Sequence, residues 1–116
     1  MPASPAQTPP AETTQVARQT RTNEQLLTSV GFRRAIEDVQ RLGIVIQYRE
    51  LRPDTLSLEL GDAAFTGAST EYNLGRLYLA YRGTTTYGPD GALDLRHGER
   101  RVGLYTKSGL SWETAR

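Results

Sequence analysis

The sequence predicts a two-layer α+β domain of element order αββαββ, in which a four-stranded, mainly antiparallel sheet carries two helices on one face. Residues 32–43 and 72–83 both place apolar residues at helical spacing and both end at a glycine. Each of these segments precedes two short runs typical of a β-hairpin. Stacking both helices on one side of a single sheet is the simplest way to bury all of these apolar faces together.

The first helix is predicted from a clear amphipathic pattern. Its polar side carries charges of both signs, which is typical of a solvent-facing surface, and Gly43 stands where a helix commonly ends. The apolar side is formed by Phe32, Ala35, Ile36, Val39 and Leu42.

The first hairpin follows directly. Residues 44–51 are rich in β-branched side chains, and residues 55–60 alternate strictly, with Leu56, Leu58 and Leu60 on one side. Pro53 and Asp54 suit the turn between them, because proline fixes φ and aspartate can bond its own backbone.

The second helix lies in the most conspicuous stretch of the chain, residues 69–83, which contains three of the six tyrosines. Leu74, Leu77, Tyr78 and Tyr81 share one face, so the segment is interpreted as a buried core helix that seals the sheet. Gly83 is expected to end it in a left-handed conformation. If any part of this helix is functional, the pattern favours Tyr72 and Tyr81 at its two ends.

A second hairpin is predicted from residues 92–96 and 101–106, with His97, Gly98 and Glu99 at its turn. Residues 107–109 are interpreted as a further turn, beyond which Leu110 and Trp112 pack on the rim of the domain.

The domain is expected to span residues 23–113, between a tail at residues 1–22 and a short tail at residues 114–116. The first tail is rich in Pro, Ala and Thr and cannot bury enough apolar surface to offset its ordering entropy, so a disordered or extended segment is predicted. It could tether the domain to an anchor or a larger assembly. Segments of this composition often follow an export signal, which favours an extracytoplasmic, periplasmic location.

Composition argues against several functions. Fourteen basic and thirteen acidic residues give a net charge of +1, which offers no electrostatic basis for nucleic-acid binding. The absence of cysteine excludes disulfides, thiolate metal sites and a cysteine nucleophile. The single histidine, His97, forms neither a metal site nor a triad, and no phosphate-binding glycine motif is present. We therefore expect no catalytic residues, no metal, no cofactor and no enzymatic activity.

The sequence instead favours a non-catalytic protein-interaction or structural module, such as an accessory subunit or tethered domain of a larger assembly. Its partner would be another protein, or a second copy bound through the sheet edges, with nucleic acid as a less favoured alternative because Asp94 and Glu99 lie among the basic residues. Tyr, Trp and Arg are enriched at interfaces. The candidate partner-binding residues are therefore Arg96, Arg100, Arg101, Tyr87, Tyr105 and Trp112.

The predicted order of helix, strand, strand, helix, strand and strand is similar to that of the BON domain family. The resemblance is one of element order. It implies a non-catalytic role at the cell envelope, with anionic lipid as a partner.

Overall fold

The computed structural model describes residues 20–84 and 91–113, which form an α+β domain with a mixed five-stranded sheet. Its described helices and strands, in chain order, are α1 (Asn23–Leu26), α2 (Val30–Arg41), β1 (Val45–Arg52), β2 (Thr55–Leu60), α3 (Ala63–Thr66), α4 (Thr70–Arg82), β3 (Ala92–His97), β4 (Arg100–Thr106) and β5 (Gly109–Trp112). The predicted α+β class and both predicted hairpins are confirmed.

The sheet differs from the predicted antiparallel arrangement at its centre. The strand order is β1-β2-β3-β4-β5, and all neighbours are antiparallel except β2 and β3, which are parallel. The connection between β2 and β3 contains α3 and α4, so the chain crosses back over the sheet before β3 begins. A crossover of this kind returns the next strand to the same end of the sheet and makes it parallel.

The fifth strand was not predicted. A turn at Lys107 and Ser108 leads into Gly109, whose φ of 104° suits glycine, and β5 then pairs along β4. The strand is only four residues long and contains a single apolar-polar alternation, Leu110-Ser111-Trp112, which is too short to stand out from a loop.

Four helices are described rather than two. The additional helices, α1 and α3, are single turns; α1 is held by a capping box between Thr22 and Gln25.

Gly43 has the expected left-handed φ of 79° after α2, but the prediction for Gly83 is wrong, because its φ is −68°.

The core lies between the sheet and the two long helices, α2 and α4, which also pack against each other. Tyr72 and Leu79, on the predicted core helix α4, are 69% and 66% exposed. Only one side of α4 is therefore core. Its buried apolar residues, together with those of α2 and the central strands, are Phe32, Ala35, Ile36, Val39, Leu56, Leu58, Leu60, Leu74, Leu77, Tyr78, Tyr81, Leu93 and Leu95.

A buried carboxylate, Glu50 on β1, joins three distant parts of the chain. Arg21 donates to Oε1 through its backbone N–H at 2.7 Å and to Oε2 through Nη2 at 2.9 Å, and the Tyr81 hydroxyl on α4 also donates to Oε2. Arg21 Nη1 also donates to the carbonyl of Thr84 at 2.7 Å. The Glu50 side chain has no exposed surface. The cluster therefore fastens the start of the described chain to β1 and to the end of α4.

The hydrogen bonds of this cluster control its ionisation. Burial by itself would raise the pKa of Glu50, but the bonds from Arg21 and Tyr81 outweigh burial and hold that pKa below its usual value. Burial, followed by the bond to Glu50, raises the pKa of Tyr81. At neutral pH the cluster contains a charged carboxylate, a charged guanidinium and a neutral phenol.

Of the predicted tails, residues 1–19 and 114–116 lie outside the described residues. Arg21 and Thr22, which the predicted tail included, make the contacts given above.

The Glu50→Gln variant is expected to lose about 3 kcal/mol of unfolding free energy, because one member of a buried ion pair is removed. Chemical denaturation would measure the loss. The matched control is Glu37→Gln on the exposed side of α2, which should change stability by less than about 0.5 kcal/mol. Equal stability of the two variants would contradict a stabilising role for the cluster.

The contribution of Glu50 is also expected to depend on pH. Because its folded pKa lies below the unfolded value of about 4.3, its stabilisation is complete above that value and is lost as pH falls through the folded pKa. The stability difference between the native chain and Glu50→Gln should therefore shrink between about pH 6 and about pH 3. Denaturation series at several pH values would test this, and a constant difference would disprove it.

Candidate binding groove at the β5 edge

The two edges of the sheet differ in whether another segment of the described chain covers them. At the β1 edge, the Asn23 side chain donates from Nδ2 to the carbonyl of Tyr48 at 2.9 Å, and Arg21 donates to Glu50 nearby. The segment around α1 therefore covers this edge. Among the described residues, no strand pairs with the outer side of β5. The β5 edge is open in that part of the chain.

Within the described residues, the backbone of β5 presents free hydrogen-bonding groups at this edge. The Glu113 N–H donates to the carbonyl of Val102 on β4 at 2.8 Å, immediately after the paired residues Trp112 and Gly103. Backbone groups along an antiparallel strand point alternately toward and away from the neighbouring strand. The N–H and C=O groups of Leu110 and Trp112 therefore point outward, away from β4.

The side chains of the same two residues lie on the helix-covered face of the sheet. Leu110 is in register with Tyr105, which pairs with the buried Leu93, and Trp112 is in register with Gly103, which pairs with the buried Leu95. Leu110 and Trp112 therefore combine outward backbone groups with apolar side chains facing the helices.

A groove runs between these side chains and the helical layer, and we call it the edge groove. It consists of two adjoining cavities, of about 420 Å³ and about 520 Å³, and Glu71 lines both. The first cavity is lined by Tyr72, Gly75, Arg76, Tyr78, Leu79, Tyr105, Thr106, Lys107 and Gly109 together with Glu71. The second is lined by Ala64, Phe65, Gly67, Ala68, Thr70, Leu110 and Trp112 together with Glu71.

Aromatic side chains shape the groove by packing against glycines. A Cβ on Gly75 would lie 2.7 Å from the Tyr105 hydroxyl, and one on Gly103 would lie 2.9 Å from Cε3 of Trp112. The missing side chains let both aromatic rings approach the backbone closely. Trp112 also packs against Phe65, with ring centroids 5.7 Å apart.

The groove gathers much of the exposed apolar surface of the domain. Seven large apolar side chains are exposed within residues 20–84 and 91–113, and four of them line the edge groove. These four are Phe65, Tyr72, Leu79 and Trp112. Concentration of exposed apolar groups in one patch is characteristic of binding surfaces.

The structure places the sequence-predicted site residues on different surfaces. Tyr105 and Trp112 lie in the edge groove, whereas Arg96 and Arg101 lie on the opposite face of the sheet. Arg100 is exposed at the start of β4, and Tyr87 lies outside the described residues.

The two arginines on the opposite face are engaged with acids. Arg96 Nε lies 2.8 Å from the buried carboxylate of Asp94, and Arg101 Nε lies 2.7 Å from Glu113. The bond to Glu113 is the main reason that the pKa of Arg101 is raised. These pairs neutralise much of the positive charge predicted for this region.

Sequence reasoning missed Phe65, Glu71 and Leu110 as site residues, and it placed the middle of α4 entirely in the core. The outward position of Tyr72 and Leu79 was detectable, since neither shares the strict i, i+3, i+4 face of α4. The contribution of Leu110 depends on β5, whose sequence signal is weak.

His97 is the last residue of β3 rather than a turn residue. Its ring packs edge-on against Phe65, with centroids 4.9 Å apart, and its Nε2 lies 3.6 Å from Asp62. Within the described residues, no group of three or more His, Asp or Glu side chains could hold a metal ion. None of the described helices has the length and apolarity needed to cross a membrane.

No protein-family model, no curated protein and no solved structure matches this chain.

Replacement of Gly103 by alanine is expected to displace β5, because the added methyl would lie 2.9 Å from both the Ser111 carbonyl oxygen and Trp112. We expect a loss of about 2 kcal/mol in unfolding free energy and a red shift in the emission of Trp112, the only tryptophan. The control is Gly31→Ala in α2, where nothing lies within 4 Å of the added methyl; this change should stabilise the chain by about 0.5–1 kcal/mol. Unchanged stability and emission in Gly103→Ala would show that β5 does not pack as described.

Proposed function

We propose that this chain is a non-catalytic protein-interaction module that binds an extended segment of a partner protein at the edge groove. The partner segment adds a sixth strand beside β5. The observation that carries the proposal is that Leu110 and Trp112 direct free backbone groups and apolar side chains toward the same opening.

Strand addition uses both features of the groove. The outward N–H and C=O groups of β5 supply main-chain hydrogen bonds, and the cavities accept alternate side chains of the added strand, which supplies specificity. Tyrosine and tryptophan suit this role, because such side chains offer a large apolar surface with few rotatable bonds.

The contrast between the two sheet edges supports this assignment. Proteins usually protect an edge strand with charged side chains, proline or a covering segment, because bare edges promote aggregation. The β1 edge has such a cover in Arg21 and Asn23. Strand β5, with the sequence Gly-Leu-Ser-Trp, has neither charge nor proline.

The opposite face of the sheet supports the proposal less well. Arg96 and Arg101 on that face are paired with Asp94 and Glu113, so phosphate groups of nucleic acid or lipid would compete with existing partners there. As far as the described residues show, the edge groove combines unpaired backbone groups with exposed apolar side chains. We therefore place the protein partner at the groove rather than at the arginines.

Selection from a phage-displayed library of random dodecapeptides would test this function. The enriched peptides are expected to slow amide hydrogen exchange at Leu110 and Trp112, whose N–H groups point outward, while Ser111, already paired with β4, changes little. The Leu110→Pro variant removes one outward donor and should weaken binding about tenfold or more. The Ser111→Ala variant, altered on the opposite face, should bind normally.

Two results would contradict the proposal. One is a selection in which no peptide protects the Leu110 and Trp112 amides. The other is light scattering that shows a dimer in which these amides are already protected without peptide, since the edge would then serve a second copy of the chain.

A further inference from the structure

We infer that the edge groove selects strands with two apolar side chains four positions apart and a lysine or arginine midway between them on the same face. The basic side chain would meet Glu71. This inference rests on the proposed function, and it specifies which segments the groove binds.

The position of Glu71 supports the basic residue. Glu71 is exposed, stands in the first turn of α4 and is the one residue that lines both cavities among those described. Within residues 20–84 and 91–113 it takes part in no ion pair or side-chain hydrogen bond. An unpaired carboxylate shared by both cavities favours a cation in the ligand.

Two cations, Arg76 and Lys107, line the first cavity together with Glu71, and neither forms an ion pair with it within the described residues. Arg76, which lines the first cavity, is directed to Asp38 on α2, with Nη1 and Oδ2 3.2 Å apart. The positive end of the α4 dipole already has Glu71 in its first turn, so an acidic ligand side chain would meet a like charge there.

The dimensions of the groove support the spacing of the apolar residues. Along α4 the groove extends from Leu79 to Thr70, about 13 Å at about 1.5 Å per residue, and it continues to Phe65. Side chains at positions i and i+4 of a strand are also about 13 Å apart and lie on one face. Positions i and i+2 span only about 7 Å, so i+2 falls between the cavities.

Parallel library selections on the native chain and on the Glu71→Lys variant would test the inference. Peptides that protect the Leu110 and Trp112 amides are expected to carry Lys or Arg between their two apolar residues when selected on the native chain. Those selected on Glu71→Lys should carry Asp or Glu at the same position. An unaltered charge preference between the two selections would overturn the inference.

Affinity measurements on one synthetic consensus peptide, and on its Lys-to-Glu counterpart, would make the test quantitative. On the native chain we expect the basic peptide to bind about threefold to tenfold more tightly, since exposed ion pairs are individually weak, and salt should reduce the ratio. Glu71→Gln should bring the ratio close to one, whereas the exposed control Glu37→Gln should leave it unchanged. A ratio that persists in Glu71→Gln would exclude Glu71 as its source.

The two proposals can fail separately. Peptides that protect the β5 amides without any charge preference would leave the proposed function intact and overturn the inference. A library that yields no peptide protecting these amides would overturn both.

Discussion

The hydrogen bonds to the buried carboxylate of Glu50 fix the relative positions of strand β1, helix α4 and the segment before α1. The carboxylate accepts hydrogen bonds from Arg21 at the start of the described chain and from Tyr81 near the end of α4. A charge with no exposed surface is stable only when it is fully paired, so all three segments must meet at β1. One consequence is that the β1 edge is covered, while β5, at the other edge, has no comparable cover in the described residues. The proposed binding function depends on this asymmetry.

The crossover between β2 and β3 has a second consequence for the site. It carries α4 across the sheet, where one side of the helix buries Leu74 and Leu77, while Tyr72 and Leu79 remain exposed. The long helix α4 lies over β4 and reaches β5. The edge groove is the space left between α4 and this last strand, and its lining is therefore set by the order of the strands.

Local patterns predicted much of the fold but little of the site. The amphipathic spacing of α2, the strict alternation of β2 and the turn at Asp54 are properties of short segments, and the structure confirms each of them. The parallel pairing of β2 with β3 depends on the path of the whole chain, which no short segment encodes. Strand β5 was not predicted for another reason. Its local sequence signal is weak, and the strand forms because it pairs with β4. Tyr105 and Trp112 were recognised as binding residues by type, but their separation from Arg96 and Arg101 required the strand register.

By itself, the sequence determined the α+β class, the two long helices, the two hairpins and most of the core, because apolar periodicity is set by the local geometry of helices and strands. The tertiary structure alone decided which edge of the sheet is covered and that Glu71, Leu110 and Trp112 line one groove. It also decided that Arg96 and Arg101 on the opposite face are held in ion pairs. These features arise from contacts between residues far apart in the chain, and such contacts depend on strand order and register rather than on the preferences of any single segment.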